Sequence, residues 1–233
     1  MSAPHEQRSP LTAALFQAIR QGQAEDVRER VTQHPELLTQ RDADGSSPMQ
    51  LALYMDRMEV VSVLLEIGYR PDLFESVLLG RSDYVRGELQ RHPGEKDAFS
   101  PDGWSLLHLA AYGGEERTVR AVLEAGAAVH SLAKSKYSPG NTPLHAAIAA
   151  GKANAAQLLI EAGADVNFPQ QPGSVTPLHV AASRPEPALA AFLIQQGAAI
   201  NARTSDGRTP LAVARQHKHQ QVEHVLLRHG AIT

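Results

Sequence analysis

The stretch Thr142-Pro143-Leu144-His145-Ala146-Ala147 decides the fold, because the same order of residue types recurs along the chain. Later copies are Thr176-Pro177-Leu178-His179-Val180-Ala181 and Thr209-Pro210-Leu211-Ala212-Val213-Ala214, at steps of 34 (142 to 176) and 33 (176 to 209). Divergent copies precede it at Ser105-Leu106-Leu107-His108-Leu109-Ala110 and Ser47-Pro48-Met49-Gln50-Leu51-Ala52. A period near 33 residues predicts an array of similar short units.

Each copy has the chemistry of a helix start followed by a second helix. Ser or Thr is a favoured N-cap, and Pro is favoured at the first helical position. Glycines such as Gly114 and Gly151 then end the first helix. A second glycine follows an apolar pair in stretches such as Leu159-Ile160-Glu161-Ala162-Gly163 and ends the second helix. Asp-Gly pairs such as Asp206-Gly207 supply turns in the connections.

A phrase of the form T-P-L-H-x-A at this period resembles the ankyrin repeat family. The resemblance implies an all-α solenoid whose unit is helix, tight turn, helix and hairpin finger. It implies that His108, His145 and His179 are structural and bond to backbone between repeats. It also implies that the chain is not an enzyme. The family binds proteins through finger tips and inner-helix residues that line a concave surface, and the resemblance implies the same here.

The spacing of apolar residues predicts two further repeats, with cap positions at Ala13 and Pro71. Both end their second helix with a His-Pro pair, His34-Pro35 and His92-Pro93, in place of Gly. We therefore expect about seven repeats, the first and last with polar outer residues. Their predicted starts are near positions 13, 47, 71, 105, 142, 176 and 209.

Two steps depart from the period. The step of 24 residues from 47 to 71 is too short for a finger, so we expect residues 68–71 to turn directly into the next helix. The step of 37 residues from 105 to 142 predicts a longer finger over residues 130–141, which contains Lys134, Lys136 and Tyr137. Both departures are candidates for function, and drift in loop length is the alternative explanation.

Composition favours one repeat domain over residues 11–233, preceded by a flexible tail over residues 1–10. No apolar run approaches the length of a membrane span, and the first residues lack the apolar segment of a signal peptide. The chain has no Cys, which fits a reducing compartment, and we expect a cytoplasmic protein.

The net charge of −3 conceals an uneven distribution. Residues 1–130 carry 20 acidic and 13 basic side chains, a net −7, whereas residues 131–233 carry 5 acidic and 9 basic, a net +4. Such a gradient can orient a charged partner during encounter. No Lys/Arg cluster is dense enough for a surface that tracks phosphates, so we expect no nucleic acid as a partner. We expect a protein partner, no membrane association and a monomeric chain.

Catalytic signatures are missing from the sequence. It contains no Gly-rich phosphate loop, no H-E-x-x-H and no G-x-S-x-G motif. We therefore predict no enzyme activity and neither a cofactor nor a metal. His217, His219, His224 and His229 lie near the end of the chain, but their spacings of two, five and five do not match one helix face. Surface histidines explain them, and a ligand- or metal-responsive regulator is the alternative function.

The aromatic residues point to a binding surface. Trp104, the only Trp, stands just before a cap position, where a finger meets its inner helix. Interface hot spots are enriched in Trp, Tyr and Arg. The alternative is that Trp104 and Tyr112 only pack on each other between fingers. The predicted partner-binding residues are Tyr54, Met55, Phe99, Trp104, Tyr112, Lys134, Lys136, Tyr137, Phe168 and Arg208.

Overall fold

The computed structural model describes residues 9–232, and within this range the chain is all-α. First (inner) and second (outer) helices of the repeats alternate along the chain, which confirms the predicted fold class. Met1 to Arg8, most of the predicted tail, lie outside the described residues. The helices are α1 Pro10–Gln21, α2 Ala24–Gln33, α3 Pro48–Tyr54, α4 Met58–Glu66, α5 Leu73–Leu78, α6 Ser82–Arg91, α7 Leu106–Gly113, α8 Glu116–Glu124, α9 Pro143–Ala149, α10 Ala153–Glu161, α11 Pro177–Ala182, α12 Pro187–Gln195, α13 Pro210–Gln216 and α14 Gln220–Arg228.

Five inner helices begin directly after the predicted cap residues. The other two starts differ from the prediction. In the third repeat the cap is Asp72 rather than Pro71, because Asp72 Oδ1 can accept from Glu75 N–H (2.9 Å) and proline has no such acceptor. In the first repeat the cap is Ser9 rather than Ala13, so α1 is about one turn longer than the spacing predicted.

The chain divides into two compact units, one ending at Leu79 and one beginning at Gly80. That residues 11–233 form a single domain stays a prediction. In unit 1, α1 packs on α3 and α2 on α4 around a core that includes Leu15, Met49 and Leu64, each with no exposed surface. No hairpin lies between α4 and α5, which confirms the predicted direct connection through residues 68–71.

In unit 2 the inner helices pack in chain order, α7 on α9, α9 on α11 and α11 on α13. The Leu of each repeated phrase fills the interior: Leu107, Leu144, Leu178 and Leu211 are at most 1% exposed. A connection from the preceding outer helix leads into each of α9, α11 and α13. We name these connections finger 5 (residues 125–142), finger 6 (162–176) and finger 7 (196–209), after the repeat that follows each.

Finger 5 is the extended finger that the sequence predicted. Ala133 N–H donates to Asn141 O (2.8 Å) and Gly140 N–H donates to Ala133 O (2.9 Å), so the two arms of the finger pair with each other. The preceding connection, residues 92–105, is finger 4 and contains a short 3₁₀ helix, Pro93–Asp97. All helices in the described part are too short or too polar to cross a bilayer.

Candidate functional site

A row of buried histidines fixes the inner helices and fingers of unit 2. His108, His145 and His179 are at most 2% exposed, and each Nδ1 lies 2.7–2.8 Å from the hydroxyl of its own cap residue. Each Nε2 lies 2.9–3.0 Å from the backbone carbonyl that precedes the next cap: Asn141, Val175 and Arg208. A neutral ring with its proton on Nε2 satisfies both contacts. These contacts agree with the structural role that the resemblance implied.

The environment of these rings keeps them uncharged. Burial lowers the pKa of His108 and of His145 to about 4, and it lowers the pKa of His179. Desolvation outweighs the hydrogen bond to the carbonyl, which alone would favour the charged ring. At neutral pH the three histidines are therefore uncharged, and each ring bonds both to its own cap residue and to the backbone of the next finger.

Unit 1 uses a different side chain at the histidine position. Gln50 and Glu75 stand where the fourth, fifth and sixth repeats have His. Glu75 is 1% exposed and accepts hydrogen bonds from Ser47 Oγ, from Tyr69 Oη (2.7 Å) and from Asp72 N–H (2.8 Å). Burial is the largest cause that raises the pKa of Glu75. This carboxyl joins the caps of the second and third repeats across the connection that lacks a finger.

Finger 4 presents Phe99 and Trp104 at the base of its turn. The hydroxyl of Ser100 accepts from Trp104 N–H (3.1 Å), and Ser100 N–H donates to Trp104 O (2.8 Å). Trp104 is half-buried, and its ring lies 5.6 Å from that of His108 at an angle of 57°. The turn therefore holds Trp104 against the first turn of α7 while leaving part of the indole exposed.

Finger 5 lies directly against finger 4. Lys134 N–H donates to Gly103 O (2.8 Å). Gly103 has φ +92°, and a Cβ at this position would come within 2.5 Å of Ser135 N. Glycine is thus needed both for the backbone conformation and for the close approach. The contact places Lys134 Nζ 3.8 Å from the centre of the Phe99 ring, a cation–π geometry.

The outer arm of finger 5 alternates between exposed and buried side chains. Leu132, Lys134 and Lys136 are exposed, whereas Ala133 and Ser135 are buried. Tyr137 is 68% exposed, and Lys136 Nζ lies 5.1 Å from the centre of its ring. Leu132, 47% exposed, was not predicted as a site residue, because Leu132-Ala133 is a plain apolar pair in the sequence and only the folded finger shows that Leu132 is exposed and Ala133 buried. We call Phe99, Trp104, Leu132, Lys134, Lys136 and Tyr137 the lysine–aromatic surface.

The other predicted site residues of unit 2 lie apart from these contacts. Tyr112 is 38% exposed near the end of α7. Phe168 in finger 6 stacks on His130 in finger 5, with ring centres 5.9 Å apart. Arg208 in finger 7 pairs with Asp206 (2.7 Å) and donates to Gln216 Oε1 (3.1 Å).

Tyr54 and Met55 belong to unit 1, at the end of α3. Tyr54 is half-buried, and Met55 is 36% exposed. The next residue, Asp56, has φ +54° and turns the chain into α4. Met55 therefore stands on a tight turn between an inner and an outer helix.

The histidines near the end of the chain do not converge. His217 and His219 stack with ring centres 5.6 Å apart, and His229 Nδ1 contacts Val225 O at 2.8 Å. Over residues 9–232 no three His, Asp or Glu side chains form a group that could hold a metal ion.

An open groove in unit 1 is acidic. It runs between α2 and α4, and Glu25, Asp26, Glu59 and Glu66 contribute to its lining. Arg28 pairs with Glu66 (2.6 Å) and with Glu25 (3.5 Å), and Arg30 pairs with Asp26 (2.9 Å). The Arg28–Glu66 pair connects α2 to α4, whereas the pairs of Arg28 with Glu25 and of Arg30 with Asp26 lie within α2.

Alternating helices, buried cap-to-histidine contacts and paired fingers define a helical-repeat protein. The family described as ankyrin repeats (3 copies) matches residues 78–170 and 168–233, which is more than half of the chain. The chain belongs to the ankyrin repeat family, whose repeats are generally protein–protein interaction modules.

Curated relatives share the repeats but are much longer. The ankyrin repeat domain-containing protein SAT10 of Stachybotrys chartarum is 29% identical over 160 residues, 67% of this chain and 8% of that protein. The nuclear factor NF-kappa-B p105 subunit of Gallus gallus is 28% identical over 204 residues, 81% of this chain and 21% of that protein. The same subunit of Rattus norvegicus is 28% identical over 160 residues, 63% and 16% respectively. The chain thus spans between 8% and 21% of the length of these relatives.

Proposed function

We propose that the chain is a non-catalytic interaction module and that a protein partner binds the finger side of unit 2 at the lysine–aromatic surface. The observation that carries the proposal is the contact between fingers 4 and 5, which holds a half-buried Trp, an exposed Tyr and two exposed lysines together. Tyr137 is 68% exposed, so most of its side chain is accessible to a partner.

The surface is built on a rigid support. His108 Nε2 bonds to Asn141 O at the base of finger 5, and Lys134 N–H bonds to Gly103 O in finger 4. Binding to a preorganised surface costs less conformational entropy than ordering a free loop. The two fingers therefore offer aromatic contact area that is already in place before a partner arrives.

The composition of the surface is that of an interface centre. Trp and Tyr dominate hot spots because each supplies a large contact area with few rotatable bonds. Tyr112 and Arg208 extend the proposed site along α7 and finger 7, and Phe168 extends it to finger 6. Tyr54 and Met55 are the proposed contacts of unit 1. One group of relatives carries the name of a subunit, which supports assembly with other proteins as the kind of activity to test.

The experiment compares partner capture by two tyrosine variants. Lysate from source cells is passed over the immobilised chain, over Tyr137→Ser and over Tyr84→Ser, and bound proteins are quantified by mass spectrometry. Tyr84 is 46% exposed on the outer helix α6 and is the matched control in the same unit. We expect Tyr137→Ser to lose a protein that the other two baits retain. Equal capture by all three baits would contradict the proposed site.

A further inference from the structure

Fingers 5, 6 and 7 together carry an excess of positive charge, whereas finger 4 contains Lys96 and three acidic residues, Glu95, Asp97 and Asp102. Fingers 5, 6 and 7 contain four basic residues, Lys134, Lys136, Arg203 and Arg208, and two acidic ones, Asp165 and Asp206. Both carboxylates already have local contacts: Asp206 pairs with Arg208 (2.7 Å), and Asp165 Oδ1 accepts from Asn167 N–H (2.8 Å). The acidic side chains of these fingers are therefore bound locally, and the basic excess concentrates on finger 5.

Lys134 has a contact that leaves its charge available. Its Nζ lies over the face of Phe99 at 3.8 Å, and among the described residues no ion pair is formed by Lys134. A cation over an aromatic ring keeps its full charge, and the ammonium group can also donate hydrogen bonds to a carboxylate on its open side. The ring thus holds the ammonium group at a fixed place on the exposed surface.

Charge and apolar area alternate along the arm of finger 5. Leu132, Lys134 and Lys136 are exposed at every second position, and Tyr137 follows at the tip. In an extended segment, residues two apart project to the same side. A partner that matches this side must offer carboxylates opposite the lysines and an apolar side chain opposite Leu132, and a second apolar side chain can meet Tyr137 at the tip.

We propose that the lysine–aromatic surface recognises an extended acidic segment of a protein that also carries aromatic or aliphatic side chains. Carboxylates of the segment pair with Lys134 and Lys136, and its apolar side chains pack against Leu132, Tyr137 and the exposed part of Trp104. This inference rests on the proposed function, since it names the chemistry of the partner at the same site. Electrostatic complementarity of this kind speeds association and selects among partners.

The test selects binders without assuming their sequence. Short random peptides displayed on phage are selected on the immobilised full chain and counter-selected on the double variant Lys134→Gln/Lys136→Gln. We expect the retained peptides to be enriched in Asp and Glu together with Phe, Tyr, Leu or Trp. Retained peptides without acidic enrichment would overturn the acidic partner while leaving a protein-binding surface. If no peptide is retained, the inference of an extended segment fails, whereas the proposed function fails only if the capture experiment with Tyr137→Ser also shows no difference.

The affinity of one selected peptide, labelled with fluorescein, then separates charge from other effects. Replacing its Asp and Glu by Asn and Gln should weaken binding by about tenfold or more, and the double Lys134/Lys136 variant should do the same. The control Lys152→Gln/Lys218→Gln removes two exposed lysines from elsewhere in unit 2 and should leave the affinity nearly unchanged. An equal loss in the control would show a general charge effect and overturn the inference.

Salt and a competing polyanion complete the test. Raising NaCl from about 0.1 to 1 M shortens the screening length from about 10 to 3 Å. It should weaken binding of the acidic peptide much more than binding of its neutral version. Oligothymidylate at the same phosphate concentration should not displace the peptide, because it lacks the spacing of apolar side chains that Leu132 and Tyr137 require. Displacement by the oligonucleotide would favour a nucleic-acid partner over the acidic protein segment.

Discussion

His145 donates from Nε2 to the backbone carbonyl of Val175 at 3.0 Å, and this bond joins the inner helix of the fifth repeat to finger 6. The same ring accepts at Nδ1 from the hydroxyl of Thr142, its own helix cap, at 2.8 Å. One buried side chain thus bonds both to the cap of its own helix and to a carbonyl of the next finger. The repeated phrase therefore specifies both the helix and the joint to the next repeat.

Removing this ring should destabilise the fold without changing binding. His145→Ala leaves Val175 O and the Thr142 hydroxyl without their partner, which costs about 1–2 kcal/mol in the free energy of unfolding. Urea unfolding measures the loss. The control is His224→Ala, since His224 is exposed on α14 and should change stability little. Peptide affinity, measured well below the melting temperature, should stay the same. Loss of binding with an unchanged unfolding curve would make His145 a functional residue.

Stability should fall in mild acid. The pKa of His108 and His145 is about 4 in the folded chain and 6.5 as the ordinary value, so the unfolded chain binds protons first as the pH falls. Above pH 6.5 these rings are neutral in both the folded and the unfolded chain, so their contribution to the free energy of unfolding is complete. Between pH 6.5 and 4 the free energy of unfolding should fall by up to about 3 kcal/mol for each ring. Unfolding free energies measured from pH 8 to 4 check this. His145→Ala should flatten the curve over the same range, and a parallel curve would contradict the assignment.

Glu75 should tolerate loss of charge better than loss of its hydrogen bonds. Glu75→Ala leaves the donors of Ser47, Tyr69 and Asp72 unpaired and should lower stability by about 1–3 kcal/mol. Glu75→Gln keeps an acceptor and removes a buried charge, so it should cost less at pH 7. The pKa of Glu75 is raised in the folded chain. The free energy of unfolding of the wild type should therefore fall relative to that of Glu75→Gln as the pH rises above about 4.5. An advantage of wild type that grows with pH would contradict this account.

Gly103 offers a test of the contact between fingers 4 and 5. Gly103→Ala adds a Cβ within 2.5 Å of Ser135 N and should separate the two fingers. Gly126→Ala is the matched control, because Gly126 also has a positive φ (+81°) but nothing within 4 Å of the added Cβ. We expect both variants to lose some stability from backbone strain, and only Gly103→Ala to weaken peptide binding, by about tenfold. Equal binding by the two variants would show that the contact between the fingers is not needed.

The sequence predicted the fold well where the repeated phrase is intact. Thr142, Thr176 and Thr209 cap their helices because hydroxyl and proline chemistry act locally. The start of α1 was missed, although Ser9-Pro10-Leu11-Thr12-Ala13-Ala14 repeats the phrase, because the prediction relied on apolar spacing rather than on cap chemistry.

The site was less predictable because its contacts join distant parts of the chain. Phe99 and Lys134 were both predicted as site residues, but their ring-to-ammonium contact depends on how finger 5 lies against Gly103. The role of Glu75 was also missed, since a carboxylate at the histidine position has no precedent elsewhere in the chain. Local sequence determines helix starts, whereas packing between fingers determines which side chains share a surface.

The most direct test of the central claim is the affinity of a captured partner or selected peptide for Trp104→Ala, measured beside its unfolding free energy. Trp104 is half-buried on a finger, whereas Leu159 is fully buried in α10, so Leu159→Ala should cost about 2–5 kcal/mol and Trp104→Ala less. We expect Trp104→Ala to weaken binding at least about tenfold, or about 1.4 kcal/mol, in a chain that remains folded. Unchanged affinity, or a loss of stability as large as that of Leu159→Ala, would show that the indole serves the fold and that the partner binds elsewhere.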